Sequence, residues 1–419
     1  MYNQHCYEMG TAPSAIRQLF AYGLEKAKEV GKENVFDYSL GNPSIPAPAA
    51  VNEAILKLIR ESDSVKLHGY SMAVELHGIG FADQLQNGYS MAGGIEAVRK
   101  AVSSDLTVRS GHLIRPQNVF MTCGAAPAIL TVLHALCLGP DTEVIVVAPY
   151  FPEYKTFVLA AGCRLVILPP DIPDFQLNME LLEQYIGEKT QAIILNSPNN
   201  PAGTVYTEPT LDKLARLLYK KECEFGHPIY VISDEPYREL TYDDLYVPYV
   251  PAYYTDTIIC YSYSKSLSLP GERIGYICVP DVCTDSKELM GAVAGAARII
   301  GHVCAPTLFQ QAIAMCNGVR PDLTAYNKNR LRLWHALEEM GYECARPDGA
   351  FYLFVRAPGD DSAAFSEYAK THYNLLIVPG DSFGCPSYFR LSYCVDYDMI
   401  ERSLPAFKKL IEEYRPGMK

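Results

Sequence analysis

Between Asn118 and Val279 short apolar runs rich in β-forming residues alternate with longer helical patterns, and this alternation constrains the chain more than any other feature. It is the pattern of a mostly parallel sheet with helices on its faces. The runs are Asn118–Thr122, Glu143–Ala148, Arg164–Leu168, Gln191–Leu195, Ile229–Ser233, Thr257–Ser262 and Ile274–Val279. Several are apolar throughout, as expected of strands covered on both faces. They predict an α/β fold whose large domain carries a mostly parallel seven-stranded sheet flanked by helices.

A chain of 419 residues exceeds what one hydrophobic core usually supports, and its two ends depart from the central pattern. Pro13 to Val30 reads as a helix closed by Gly31, and Asp322 to Met340 as another with Gly341 just past its end. Strands at Ala350–Val355 and Phe389–Cys394 and an amphipathic helix around Met399–Tyr414 follow. These segments predict a smaller α+β domain built from both termini, residues 1–48 and 298–419, beside a large domain at 49–297. Within the large domain, Gly69-Tyr70-Ser71-Met72-Ala73 recurs as Gly88-Tyr89-Ser90-Met91-Ala92, and Leu67-His68-Gly69 recurs as Leu76-His77-Gly78. No further copies follow, so this is no solenoid but a local insertion or duplication spanning 71–88.

The formal charge of -12 argues against a nucleic-acid surface or a binding mode that relies on anionic lipid, because both need positive potential. An anionic ligand needs a local basic pocket instead. The 13 cysteines form no CxxC pair, which removes the usual zinc and redox-motif readings and leaves reduced, mostly buried thiols; no metal site is expected. No apolar segment approaches the length needed to span a bilayer, and Met1 to Gly10 lacks a signal-like pattern, so the cytoplasm is the expected compartment.

The chemistry-bearing residues collect at predicted strand ends. Ser262-Tyr263-Ser264-Lys265, followed by Gly271 and Arg273-Ile274-Gly275, begins where open α/β sheets place ligands. A lysine there can form a Schiff base, and two hydroxyls with an arginine suit a phosphate. Taken alone the motif is weak, and a solvated loop lysine is the better reading. Asp234 opens Asp234-Glu235-Pro236-Tyr237; its carboxylate can salt-bridge a pyridinium nitrogen, or simply cap the next turn. Asn196 to Gly203 is a Pro- and Asn-rich loop in which an asparagine amide can donate to a phenolate, although a plain turn accounts for the composition. Cys123-Gly124-Ala125-Ala126-Pro127 opens an apolar helix whose free N–H groups make an anion site, or serves as an ordinary β-to-α turn. Phe151, after another strand, offers either a stacking ring or a core side chain.

Five strand ends thus supply a Schiff-base lysine, a pyridinium partner, a phenolate donor, a phosphate cradle and a stacking ring. The set resembles the class I/II aminotransferases of the fold type I pyridoxal-phosphate enzymes, including aspartate aminotransferase-like members, in order from about Ser39 to Tyr393. Its most specific parts are Ser-x-Ser-Lys with Arg273 eight places on, Asp-x-x-Tyr, and Asn-x-Pro.

The resemblance implies that Lys265 carries the cofactor, pyridoxal 5'-phosphate, and moves the substrate proton. It implies that Asp234 pairs the ring nitrogen, Asn200 and Tyr237 bond the ring oxygen, and Phe151 stacks on the ring. Ser262, Ser264, Arg273 and the backbone of Ala125 and Ala126 beyond Gly124 would hold the phosphate. Arg390 would grip the substrate α-carboxylate, with Asn200 beside it and Gly41 closing over it. A tyrosine five residues before a glycine reaches a partner's phosphate in this family; Tyr89 with Gly94 fits that spacing, whereas Tyr70 has Glu75 in the glycine's place. Arg298 is the candidate for a distal substrate carboxylate, from the partner of a homodimer. The implied activity is ping-pong transfer of an amino group between a small L-amino acid, aspartate favoured, and a 2-oxo acid such as 2-oxoglutarate. A carbon–sulfur β-lyase on the same scaffold, and a regulatory or inactive binding protein, are the alternatives.

Overall fold

The structure is a computed structural model that describes residues 1–11, 14–70, 93–302 and 304–417. The segment 71–88 and Tyr89 lie outside the described residues.

Helix Ala15–Val30 leads to β1, Phe36–Asp37. Seven strands then build the central sheet: β2 Val119–Thr122, β3 Glu143–Val147, β4 Arg164–Leu168, β5 Thr190–Asn196, β6 Tyr230–Asp234, β7 Thr257–Ser262 and β8 Gly275–Cys278. Each boundary falls within one residue of the sequence expectation. The order across the sheet is β2-β8-β7-β6-β5-β3-β4. Neighbours are parallel except at β8, which runs antiparallel to both β2 and β7.

Burial explains the apolar runs. Every residue of β3, β6, β7 and β8 is buried, and each buried Val or Ile side chain contributes about 1.5–3 kcal/mol. β4, at the sheet edge, leaves Arg164 and Ile167 exposed. One face is covered by helices Ala125–Leu136 and Ser286–Ile299, which pack Ile129, Val132 and Leu133 in one cluster with Val293 and Ala297. On the other, helix Glu208–Phe225 buries Leu211, Leu214 and Leu218 with Ile193 and Val231. Thr207 starts that helix by accepting a hydrogen bond from the Thr210 N–H, which satisfies one of its free donors.

The ends of the chain meet elsewhere. Four strands follow the central sheet: β9 Tyr352–Arg356, β10 Leu375–Leu376, β11 Val378–Pro379 and β12 Tyr388–Ser392. β1 pairs in parallel with β10, so the N-terminal segment is tied to the C-terminal one. β11, β12 and β9 form an antiparallel sheet in that order. Tyr38, Tyr326, Leu333, Phe365 and Phe407 share a second core there, and Tyr237, Leu240 and Tyr242, from the loop after β6, are lodged in it. Helix Thr307–Met315 packs instead on Ala49–Glu61, with Ala312 and Ile313 beside Val119 and Met121 of the central sheet. On that packing we propose that residues 298–319 belong with the large body and that the C-terminal part of the smaller one begins after Val319.

None of the 13 cysteines is in a disulfide. Among the described residues no helix is long and apolar enough to cross a membrane.

Candidate active site

The carboxyl ends of β2, β3, β5, β6 and β7 lie at one edge of the sheet. Because β8 runs against its neighbours, its beginning lies at that edge too, with Gly275 in register with both Thr122 and Ser262. The antiparallel strand therefore delivers Arg273 to the place where β2 and β7 end. Gly124, at φ 94°, lets Arg273 approach: a Cβ there would stand 2.8 Å from Arg273 Nη2. Arg273 itself sits at φ 52°, an uncommon conformation for a side chain of its kind, and its Nη1 reaches Pro270 O at 3.0 Å and Ser264 Oγ at 3.5 Å. The Ser262 and Ser264 hydroxyls are 2.8 Å apart. Helix Ala125–Leu136 starts behind Gly124 without a side-chain cap, which leaves its first N–H groups free for an anion.

Lys265 lies on the turn after β7, half-buried, with Nζ 2.8 Å from the Gly41 carbonyl and 5.2 Å from the centre of the Phe351 ring. Burial pulls its pKa down to about 8, so the neutral amine is accessible near physiological pH. Asp234 ends β6, 4% exposed and in register with Asn196 at the end of β5. Its Oδ2 accepts from the Tyr154 hydroxyl, and the Asn196 amide donates to its backbone carbonyl at 2.9 Å. Burial pushes the carboxyl up to about 7; the Tyr154 hydrogen bond opposes the rise and Glu235 adds to it. Phe151, half-buried on the segment that follows β3, meets the Tyr154 ring edge-on at 5.6 Å.

Arg390, on β12, and Asn200, in the loop after β5, meet here. Asn200 Oδ1 accepts from Arg390 Nη1 at 3.0 Å, and the Ser39 carbonyl accepts from Nη2 at 2.6 Å. The guanidinium is 2% exposed between the rings of Tyr352, at 4.6 Å, and Phe383, at 5.0 Å. Among the described residues no carboxylate pairs with it, and burial pulls its pKa below the ordinary value. Tyr237 is buried with its hydroxyl 3.0 Å from that of Tyr352. Gly41 is required by close approach, since a Cβ there would collide with the Tyr352 hydroxyl.

Three buried polar atoms at this edge have no hydrogen-bond partner: Ser39 Oγ, Asp234 Oδ1 and Arg390 Nε. Each such group costs on the order of 1–3 kcal/mol, a penalty that a ligand would remove. A cationic ring N–H suits Asp234 Oδ1, and an amino-acid carboxylate suits Arg390. Together with the amine of Lys265, the Tyr237 and Asn200 groups and the phosphate cradle, the donor set fits pyridoxal phosphate.

Of the residues expected from sequence, Gly41, Gly124, Ala125, Ala126, Phe151, Asn200, Asp234, Tyr237, Ser262, Ser264, Lys265, Arg273 and Arg390 gather at this edge or on the segments that close it. Arg298 is exposed on the last turn of Ser286–Ile299, and Tyr89 lies outside the described residues. Sequence reasoning missed Tyr154, Asn196, Ser39 and Tyr352. Asn196 was open to detection as a polar residue ending an apolar strand. Tyr154 and Tyr352 gave no local signal, because each acts across elements.

A family model described as aminotransferase class I and II matches residues 78–407. The aspartate aminotransferase of Bacillus subtilis is 31% identical over 347 residues, covering 78% of this chain and 84% of that protein. Aromatic-amino-acid aminotransferase 2 of Thermococcus litoralis is 27% identical over 417 residues, 96% of each. The crystal structure of an aminotransferase from Eubacterium rectale is 50% identical, covers 99% of both chains and superposes with a TM-score of 0.93.

Proposed function

The chain belongs to the class I and II aminotransferase family and is a transaminase; on that premise we propose that it uses pyridoxal 5'-phosphate at Lys265 to exchange amino groups between a small L-amino acid, aspartate favoured, and a 2-oxo acid. The observation that carries this reading is the convergence of a half-buried amine, an orphaned Asp234 oxygen and an Arg390 guanidinium without a carboxylate at one sheet edge.

When bound, the cofactor supplies an aldehyde carbon that takes up amino groups and a ring that stores an electron pair. The protein's part follows from its own groups. Arg390 and Asn200 orient the substrate α-carboxylate, so that the Cα–H bond faces Lys265. Nζ of Lys265, neutral in a large fraction of molecules near its pKa of about 8, takes the Cα proton and returns one on the far side of the reaction. Asp234, once opposite a cationic N–H, is held ionised and stabilises the ring nitrogen in its protonated form. Tyr237 donates to the ring oxygen. Ser262, Ser264, Arg273 and the start of Ala125–Leu136 hold the phosphate and with it the orientation of the ring.

In this reading Arg298, exposed in the last turn of its helix, serves a second copy of the chain, and the aspartate preference and a homodimer with shared sites are proposed with it. The relatives' names divide between aspartate and aromatic amino acids. A panel of amino donors with 2-oxoglutarate, read by keto-acid formation, tests the proposal. Aspartate is expected to give the highest kcat/KM, with parallel double-reciprocal plots. Intersecting plots contradict the ping-pong scheme, a leading aromatic donor contradicts the aspartate preference, and pyruvate from cystathionine without a keto acid points to the lyase.

A further inference from the structure

Tyr352 has no role in the mechanism above, yet it touches two of its parts, Tyr237 and Arg390, and the Gly41 that holds a third, Lys265. It opens β9, directly opposite Ser392 in the register that places Phe354 opposite Arg390, so Tyr352 and Arg390 are diagonal neighbours on one face of the small sheet. Its ring lies under the Arg390 guanidinium at 4.6 Å, and its hydroxyl is 3.0 Å from that of Tyr237. The same hydroxyl is walled in by Gly41, whose carbonyl holds Lys265 Nζ. Tyr352 is 2% exposed.

Burial keeps both hydroxyls protonated: the Tyr352 hydroxyl is pushed up to about 12, and that of Tyr237 well above its ordinary range. Each hydroxyl has one proton, and the two share a single hydrogen bond. Among the described residues Tyr237 is the sole hydrogen-bond partner of the Tyr352 hydroxyl. Tyr237 can give its proton to a ligand oxygen only if it stops giving it to Tyr352. The shared bond then survives only with Tyr352 as donor.

We propose that Tyr352 is a positioning residue that donates to the Tyr237 hydroxyl, aims the Tyr237 proton at the cofactor's ring oxygen, and supports Arg390 with its ring. The proposal rests on the cofactor reading above. Donation by Tyr352 polarises Tyr237 and strengthens its own donation, by a fraction of one hydrogen bond. Stronger donation to the ring oxygen favours its ionised form, so the pH at which the bound cofactor's absorbance changes is held down.

The test is an absorbance titration of the cofactor-loaded protein, with binding of succinate, a non-reacting dicarboxylate, measured alongside. In Tyr352→Phe the absorbance midpoint is expected to rise by on the order of 0.5 pH unit, while succinate affinity stays within about twofold because the ring over Arg390 remains. In Tyr352→Leu both should change. In a Tyr237→Phe background, adding Tyr352→Phe should leave the midpoint where Tyr237→Phe alone puts it, because Tyr352 acts through Tyr237. An unchanged midpoint in Tyr352→Phe, or an equal shift in both backgrounds, overturns the proposal. The wild-type protein separates this from failure of the cofactor reading: if it shows no cofactor absorbance dependent on Lys265, the reading itself falls and the inference with it.

Discussion

Arg330 and Arg390 are both almost fully buried, at 1% and 2% exposure, and the chain treats them in opposite ways. Arg330 holds both oxygens of Asp243 at 2.9 and 2.8 Å, donates to Asn327 Oδ1 at 2.9 Å and to the Pro347 carbonyl at 3.1 Å, and stacks at 4.5 Å on Tyr242. Every arm of that guanidinium is used. Arg390 has two neutral acceptors, no carboxylate among the described residues, and a bare Nε. One arginine pins the loop after β6 to the helix Thr324–Glu339. The other is kept incomplete at the cost of stability, and the same incompleteness marks Asp234 Oδ1 and Ser39 Oγ nearby. Satisfied buried charge marks structure in this molecule, whereas unsatisfied buried charge marks the place for a ligand.

The comparison is broken most easily at Arg390. Arg390→Leu is expected to lower kcat/KM by about 10³-fold, since on the proposed function it removes the buried partner of the substrate carboxylate. Its unfolding midpoint in urea should be unchanged or higher, because the guanidinium has no carboxylate partner to lose. Arg330→Leu should do the reverse: a loss of about 3 kcal/mol in urea unfolding, with kcat/KM of the folded fraction within a few-fold of wild type. If both variants lose stability and activity together, the distinction between the two arginines fails.

Asp234 sharpens the same contrast through pH. Its folded-state pKa of about 7 lies above the ordinary 3.8, so the cofactor-free fold binds this proton more tightly than the unfolded chain does. Stability contributed by the protonated form is present below about pH 3.8 and is lost as pH rises to 7, then stays flat. Cofactor-free Asp234→Asn should therefore melt higher than wild type at pH 8, with the advantage fading towards pH 4. In the loaded enzyme the same substitution should cost kcat/KM on the order of 100-fold, because the charge opposite the ring nitrogen is gone. An equal melting difference at every pH would contradict the burial argument.

How far these features could be read from sequence follows their range along the chain. The strands and the residues that end them were legible, because apolar β-runs and the polar residues closing them are local patterns. Lys265 was weak by its local motif and stood out only through the order and placement of Gly124, Phe151, Asn200, Asp234 and Arg273 at the strand ends. The direction of β8 was not legible, since a four-residue apolar strand reads the same in either sense, yet that direction brings Arg273 to Gly124. Tyr154 under Asp234 and Tyr352 between Tyr237 and Arg390 were hidden for a related reason. Asp234 lies 80 residues from Tyr154 and Tyr237 lies 115 from Tyr352, while Tyr352 meets Arg390 only through the register of β9 with β12, and nothing in the intervening sequence reports these contacts. The bareness of Arg390 is likewise a property of what the fold withholds from it.

The central claim is that Lys265 holds the cofactor. Protein incubated with pyridoxal phosphate, reduced with borohydride, digested and analysed by mass spectrometry should carry a phosphopyridoxyl group on the peptide containing Lys265. Label on another lysine, or undiminished label in Lys265→Ala, would contradict the account.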